Sequence, residues 1–248
     1  MVKEIFEHRT IRKFTDEKVS KEDILAICSA ASRASTCGNM QCYSLVVSQD
    51  EQMVKSLSPL HFGQVERMNM QCVVTICADV NRFSLWCKHR GAEPSYDNFL
   101  WFVNSSIDAL LAAQNLILEA ESRGLGICIL GTTLYTAEAI SKLLELPTGV
   151  IPITTIGVGH PAEQVELTDR LPVEAVVHFE KYQQYSNERI DELWAEKEAL
   201  PLTAELIKEN NLPTLAHIFT ENRYKKSDNL GVSNSYFELL KSQGFFNN

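Results

Sequence analysis

An α+β domain is the fold class the sequence predicts, on three observations. Short β-branched apolar runs alternate with helical segments as far as Gly159. One long segment near residues 98–123 is helical in period and apolar around most of its circumference. The chain is 248 residues long and 45% hydrophobic, enough to bury one sizeable core.

The opening residues read as a short helix to His8. An extended Thr10-Ile11-Arg12-Lys13-Phe14 follows, then a turn at Thr15-Asp16-Glu17. Ser20 with Asp23 resembles a capping box, and Ile24, Leu25, Ile27, Cys28 and Ala31 then recur at helical spacing. The polar stretch Ser35-Thr36-Cys37-Gly38-Asn39 reads as a loop. Residues 42–48 and 72–78 are runs of strand length, separated by a helical segment around 51–57. The long helix places Phe99, Phe102, Val103, Ser106, Leu110, Ala113 and Ile117 on one stripe with further apolar residues beside it. Such a helix belongs at the centre of a fold or in a dimer interface. Gly124 closes it. Residues 126–131 and 153–159 are expected as buried strands around a helix at 136–146. From Asn187 onward the chain is charged and helical, so a core of residues 1–186 is expected to carry a C-terminal helical arm, 187–248, packed on the core or on a partner subunit.

A net charge of −9 disfavours nucleic acid and anionic membrane as partners and favours small molecules. No export signal and no run of about 18 apolar residues is visible, so a cytoplasmic protein is expected. Cys28, Cys37, Cys42, Cys72, Cys77, Cys87 and Cys128 form no CxxC pair, and their odd number argues for reduced thiols. No metal site is expected, because the six histidines lack ligand spacing. No GxSxG marks a serine nucleophile. The glycines at 124, 126 and 131 enclose a strand instead of following one, which excludes a dinucleotide fingerprint. Close backbone approach to a ligand at Gly131, or simply a tight strand end, remains.

Three polar clusters stand out. In an extended backbone His8, Thr10 and Arg12 face one way, and two basic groups with a hydroxyl make an anion site suited to a phosphate monoester. An exposed basic turn is the plainer reading. Ser35-Thr36-Cys37-Gly38-Asn39 with Gln41 suits a hydrogen-bonded ligand or an ordinary turn-rich loop. Asp169-Arg170-Leu171-Pro172 adds another arginine in a loop. With no evident side-chain nucleophile, a bound cofactor would carry the chemistry while the protein places it.

These elements resemble, in order and spacing, the FMN-dependent nitroreductase family, in particular its branch of NADPH nitroreductases and flavin reductases. The resemblance covers about residues 1–180. It rests on HRTIRKFTDEKVS, STCGNMQC, Gln64 ahead of VVTICADVNR, AAQNLILEAESRGLGICILG, KLLELP, GVGHPAE and LTDRLP. It implies a central mixed β-sheet flanked by helices, in a homodimer with FMN sites between two subunits and the long helix at the dimer core. His8, Thr10 and Arg12 would hold the FMN phosphate and ribityl chain, with Arg9 contributing backbone and Arg170 joining them. Ser35, Thr36, Cys37 and Gln41 would meet the flavin across the interface, and Gln64 would lie near the ring. The backbone at Ile129, Leu130, Gly131 and Thr132 would lie under the isoalloxazine. The implied activity is ping-pong hydride transfer from NADPH or NADH to nitroaromatics, quinones or free flavin, with small planar acceptors and no catalytic side chain. A non-catalytic FMN-binding or sensing dimer is the alternative. The sequence departs from the family where relatives carry two glycines and soon an arginine, reading Gly131-Thr132-Thr133-Leu134, and where Thr168 replaces a lysine. The stretch 83–101 also matches relatives poorly.

Overall fold

Four strands in the order β1-β2-β4-β3 make the sheet on which the first of two units is built. The computed structural model describes residues 2–247. One unit comprises Met1–Glu166 with Asn234–Asn248, and the second comprises Leu167–Ser233. The boundary expected at 186/187 falls within the second unit.

In the first unit the elements are helices α1 (Lys3–Phe6) and α2 (Lys21–Ala31), strand β1 (Tyr43–Ser48), helices α3 (Glu51–Leu57) and α4 (Gln64–Arg67), and strand β2 (Cys72–Asp79). Helices α5 (Asn81–His89) and α6 (Phe99–Ser122), strand β3 (Gly126–Leu130), helix α7 (Ala137–Leu143) and strand β4 (Val150–Gly159) follow. Short 3-10 turns occur at Cys37–Asn39, Pro59–His61 and Gly131–Tyr135. The second unit holds α8 (Asn187–Glu198), α9 (Pro201–Asn210), the single turn α10 (Leu215–His217) and a π-helical turn at Ile218–Arg223. Helix α11 (Lys226–Ser242) begins there and continues into the first unit's final segment. Among the described residues no helix is long and apolar enough to cross a membrane.

Local chemistry explains the helix ends. Ser20 accepts from the Asp23 amide at 3.0 Å at the start of α2, and Asp50 accepts from the Met53 amide at 2.9 Å before α3. Asn98 caps α6 by accepting from the Trp101 amide, and Gly124 follows that helix at φ 75°, a conformation that costs glycine little. Strand β2 is buried along its whole length because both faces are covered, which is why it reads as an unbroken apolar run. On one face Val74 and Ile76 join Ile27, Ala109, Ala112, Leu116 and Ile156, so α2 and α6 close that side. On the other, Val73 meets Leu57, Val65, Met70, Cys128 and Leu130. The segment from Asn234 completes a third cluster, where Leu239, Leu240 and Phe245 bury against Val80, Ala137 and Ile151.

The expected mixed sheet is corrected: β1 with β2, β2 with β4, and β3 with β4 all pair antiparallel. Alternation of strands and helices suggests parallel crossovers, but it does not fix which strands are neighbours: the strands that share a direction, β1 with β4 and β2 with β3, are never adjacent in the sheet. The parallel contact among the described residues is a single bridge, Thr10 to Ile127. Strand β4 also begins earlier than the expected Ile153, including Pro152. The register shifts beside Cys77 and β3 does not reach this end of β4, so the missing proline N–H leaves no bond unmade.

The stripe expected on α6 divides. Ala113 and Ile117 are buried, whereas Val103 and Leu110, with Leu100, Ile107 and Leu111, form an exposed apolar row.

Gly126 marks the closest approach of the N-terminal segment to the sheet: a Cβ there would stand 2.7 Å from Ile11 Cγ1 and 2.9 Å from its Cβ. Gly126→Ala is expected to cost about 1–3 kcal/mol in urea unfolding, through displacement of Ile11. An unchanged midpoint would show that the segment yields freely.

Candidate active site

The extended segment 8–12 runs beside β3. Thr10 bridges Ile127, and the Ile11 amide donates to the Ile127 carbonyl at 2.9 Å. Alternation buries Ile11 and leaves Thr10 partly and Arg12 fully accessible. The Arg12 amide donates to Glu163 Oε1 at 2.7 Å, while its guanidinium makes no hydrogen bond or ion pair among the described residues. That free cation also works against the burial that raises the Cys128 thiol pKa. His8 is already engaged: Nδ1 lies 2.6 Å from Glu121 Oε1 near the end of α6. Burial raises the Glu121 carboxyl pKa and the bond from His8 opposes that shift. The Arg9 guanidinium donates to the Glu7 carbonyl at 2.7 Å. The structure therefore brings His8, Thr10 and Arg12 alongside the strand that ends in Ile129, Leu130, Gly131 and Thr132.

At that strand end Ile129 is half exposed, Leu130 is buried, and a Cβ added to Gly131 would meet nothing within 4 Å. The turn beyond is held from inside. Thr133 Oγ1 donates to the Leu130 carbonyl at 2.8 Å, and Thr132 Oγ1 lies 2.9 Å from His61 Nδ1. Thr136 Oγ1 donates to the Leu60 carbonyl at 2.6 Å. These contacts place the Pro59–His61 turn, and Gln64 just after it, against the strand end. Phe62 and Tyr135, both exposed, meet edge to face with centroids 6.0 Å apart.

The loop 35–41 is held elsewhere. Asp108, almost fully buried on α6, accepts from the Cys37 amide at 2.9 Å and from the Cys42 amide at 3.1 Å. Left-handed φ values at Gly38, Asn39 and Gln41 turn the loop, and Arg82 of α5 donates to the carbonyls of Gln41 and Tyr43. Ser35 and Cys37 are exposed, whereas Thr36 Oγ1 is buried without a partner among the described residues. Asp108 and Glu121 are thirteen residues apart on one helix, about 20 Å along its axis. One chain thus joins the N-terminal segment to the strand end but keeps loop 35–41 at a distance from His8. Arg170 lies in the second unit, where its guanidinium donates to Thr168 Oγ1 at 2.6 Å and to the Asp169 carbonyl at 2.9 Å.

Sequence reasoning missed Asp108, Glu121 and His61. Asp108 had a signal, a lone carboxylate within an apolar helical run; His61 had none. Every cysteine is free, and burial, aided by Asp108, pushes the Cys42 thiol up to about 12, so it is no nucleophile. Among the described residues no three His, Cys, Asp or Glu side chains gather as a metal centre.

The sequence-predicted residues thus fall on a basic extended segment, an open strand end and a polar loop. The description "Nitroreductase family" matches residues 5–160, which include all three elements, and the chain belongs to that family. It is an NAD(P)H-dependent oxidoreductase of the nitroreductase type. It is 35% identical over 183 residues to an FMN reductase (NADPH) of Bacillus subtilis (strain 168), covering 73% of this chain and 74% of the relative. It is 34% identical over 192 residues to an oxygen-insensitive NADPH nitroreductase of Salmonella typhimurium, covering 76% and 78%. A crystal structure from Bacteroides fragilis NCTC 9343 is 42% identical and superposes with a TM-score of 0.95 over 98% of this chain and 99% of that one. The NfrA1 nitroreductase of B. subtilis, 28% identical, gives 0.86 over 100% and 99%.

His61 supplies a pH test. It is wholly buried, and burial lowers its pKa to about 4. An unfolded histidine near 6.5 takes up a proton that the folded ring refuses. Stability is therefore full above pH 6.5 and falls as pH drops from there toward 4. Between pH 7.5 and 5 this contribution falls by about 2 kcal/mol, and urea titrations should show that loss flattened in His61→Phe. Equal slopes in both proteins would place the titration elsewhere.

Proposed function

We propose that the chain binds FMN and passes electrons from NADPH or NADH to small planar acceptors, nitroaromatics, quinones or free flavin, as a homodimer. The observation that carries this reading is the Thr10–Ile127 bridge, which aligns a free guanidinium at Arg12 with an open strand end at Gly131. The residues suit FMN on two further counts. Thr36 keeps a buried hydroxyl unpartnered, and the space beside Gly131 admits a planar group against backbone.

Arg12 would neutralise the phosphate through charge-assisted hydrogen bonds, with Thr10 and His8 beside it and Arg9 through its backbone. The Glu121 carboxylate keeps the His8 ring oriented through Nδ1, which leaves Nε2 as the remaining polar group. Ile129, Leu130, Gly131 and Thr132 would present backbone to the ring, with Gln64 at its edge. When bound, flavin supplies the two-electron chemistry that no side chain here provides. Phe62 and Tyr135 offer aromatic surface on which nicotinamide and acceptor would sit in turn, so a ping-pong order follows from one shared face.

Distance and exposure together support the homodimer. Asp108, which holds the loop carrying Ser35, Thr36, Cys37 and Gln41, stands about 20 Å along α6 from Glu121, which holds His8, and the apolar row Leu100, Val103, Ile107, Leu110 and Leu111 lies bare on that helix. Pairing two copies through this row would cover it and bring each loop to the other chain's strand end.

The direct test is the visible spectrum of the FMN-loaded protein under anaerobic NADPH, with NADH in parallel. Flavin bands that bleach with either nucleotide are the expected result. A chain that takes up no FMN on reconstitution overturns the reading, and a yellow protein that neither nucleotide bleaches favours a flavin-binding protein without turnover.

A further inference from the structure

His61 is buried completely in the Pro59–His61 turn, and both its ring nitrogens must be accounted for. Nδ1 lies 2.9 Å from Thr132 Oγ1, whereas Nε2 is buried with no partner among the described residues. Burial keeps the ring neutral, so it carries one N–H. On Nε2 that hydrogen would be a buried donor with nothing to accept it. On Nδ1 it reaches the Thr132 hydroxyl and leaves only a bare acceptor, the less costly omission. Thr132 thus accepts through its oxygen and keeps its own proton.

Other contacts join the same two turns without His61. Thr136 Oγ1 donates to the Leu60 carbonyl, and the rings of Phe62 and Tyr135 meet. The His61–Thr132 bond is therefore not needed to bring the turns together. What it alone fixes is the side-chain rotation of Thr132; at the backbone just beyond β3 it adds to the bonds from Thr136 Oγ1 to the Thr132 carbonyl at 3.4 Å and from Thr133 to the Leu130 carbonyl.

We propose that His61, donating from Nδ1 to Thr132, is a positioning residue that sets this strand-end backbone against the flavin ring. The proposal rests on the FMN reading above. Asparagine can place an amide nitrogen where Nδ1 stands, glutamine only near Nε2, and phenylalanine neither, so three substitutions separate hydrogen bonding from filling of the site.

The experiment is FMN titration of the apoprotein by flavin fluorescence, together with nitrogen NMR of the histidine rings in the apoprotein. His61→Phe and Thr132→Val should each weaken FMN binding about ten-fold, and the double variant should be no weaker than either. His61→Asn should stay within about two-fold of wild type, while His61→Gln should not. The His61 ring should show protonated Nδ1, lost as a hydrogen-bond signature in Thr132→Val. Wild-type affinity in His61→Phe, equal rescue by Asn and Gln, or additive losses in the double variant overturns the proposal while the FMN reading stands. A wild-type chain that binds no FMN instead removes that reading and this proposal together, even where the ring signals show the His61–Thr132 bond intact.

Discussion

Two carboxylates on the core side of α6 decide where the chemistry-bearing segments sit. Asp108 gathers the amides of Cys37 and Cys42, and Glu121 takes the His8 ring. Each is an exception on an otherwise apolar helix face, and burying such a group requires hydrogen-bond partners. Both find them outside their own helix. The partners are the loop 35–42 and the N-terminal segment, so α6 acts as the rod to which both are tied.

The remaining construction is sheet-borne. The N-terminal segment is pinned a second time by its bridge to β3, and β3 ends at a turn braced by Thr133, by Thr132 with His61, and by Thr136 with Leu60. Rigidity thus converges on a strand end whose outer side is open. That combination suits the proposed function, in which the protein would contribute charge, planes and position and a bound flavin would relay electrons.

Much of this was legible in the sequence where short-range physics decides. The Ser20 cap, the α3 bounds, the extent of α6 with its close at Gly124, and β2 follow from local residue type and period. The alternation at residues 8–12 is seen in Ile11, which is buried, between Thr10 and Arg12, which are not. What escaped was non-local. Strand direction depended on which strands became neighbours, Pro152 hid the start of β4, and the stripe on α6 split because the helix faces both a core and an open side. The partners of Asp108, Glu121 and His61 lie between 66 and 113 residues away, beyond any motif spacing.

The central claim is that each flavin site is assembled from the N-terminal segment of one copy and the 35–41 loop of another. Co-expressing an Arg12→Glu chain with a Ser35→Glu/Gln41→Glu chain, differently tagged, and measuring FMN in the purified heterodimer tests it most directly. The account predicts about one FMN per heterodimer and none in either parent homodimer, because only the mixed pair contains one undamaged site. A heterodimer as empty as its parents would mean that both segments serve a site within a single chain, and would contradict the account.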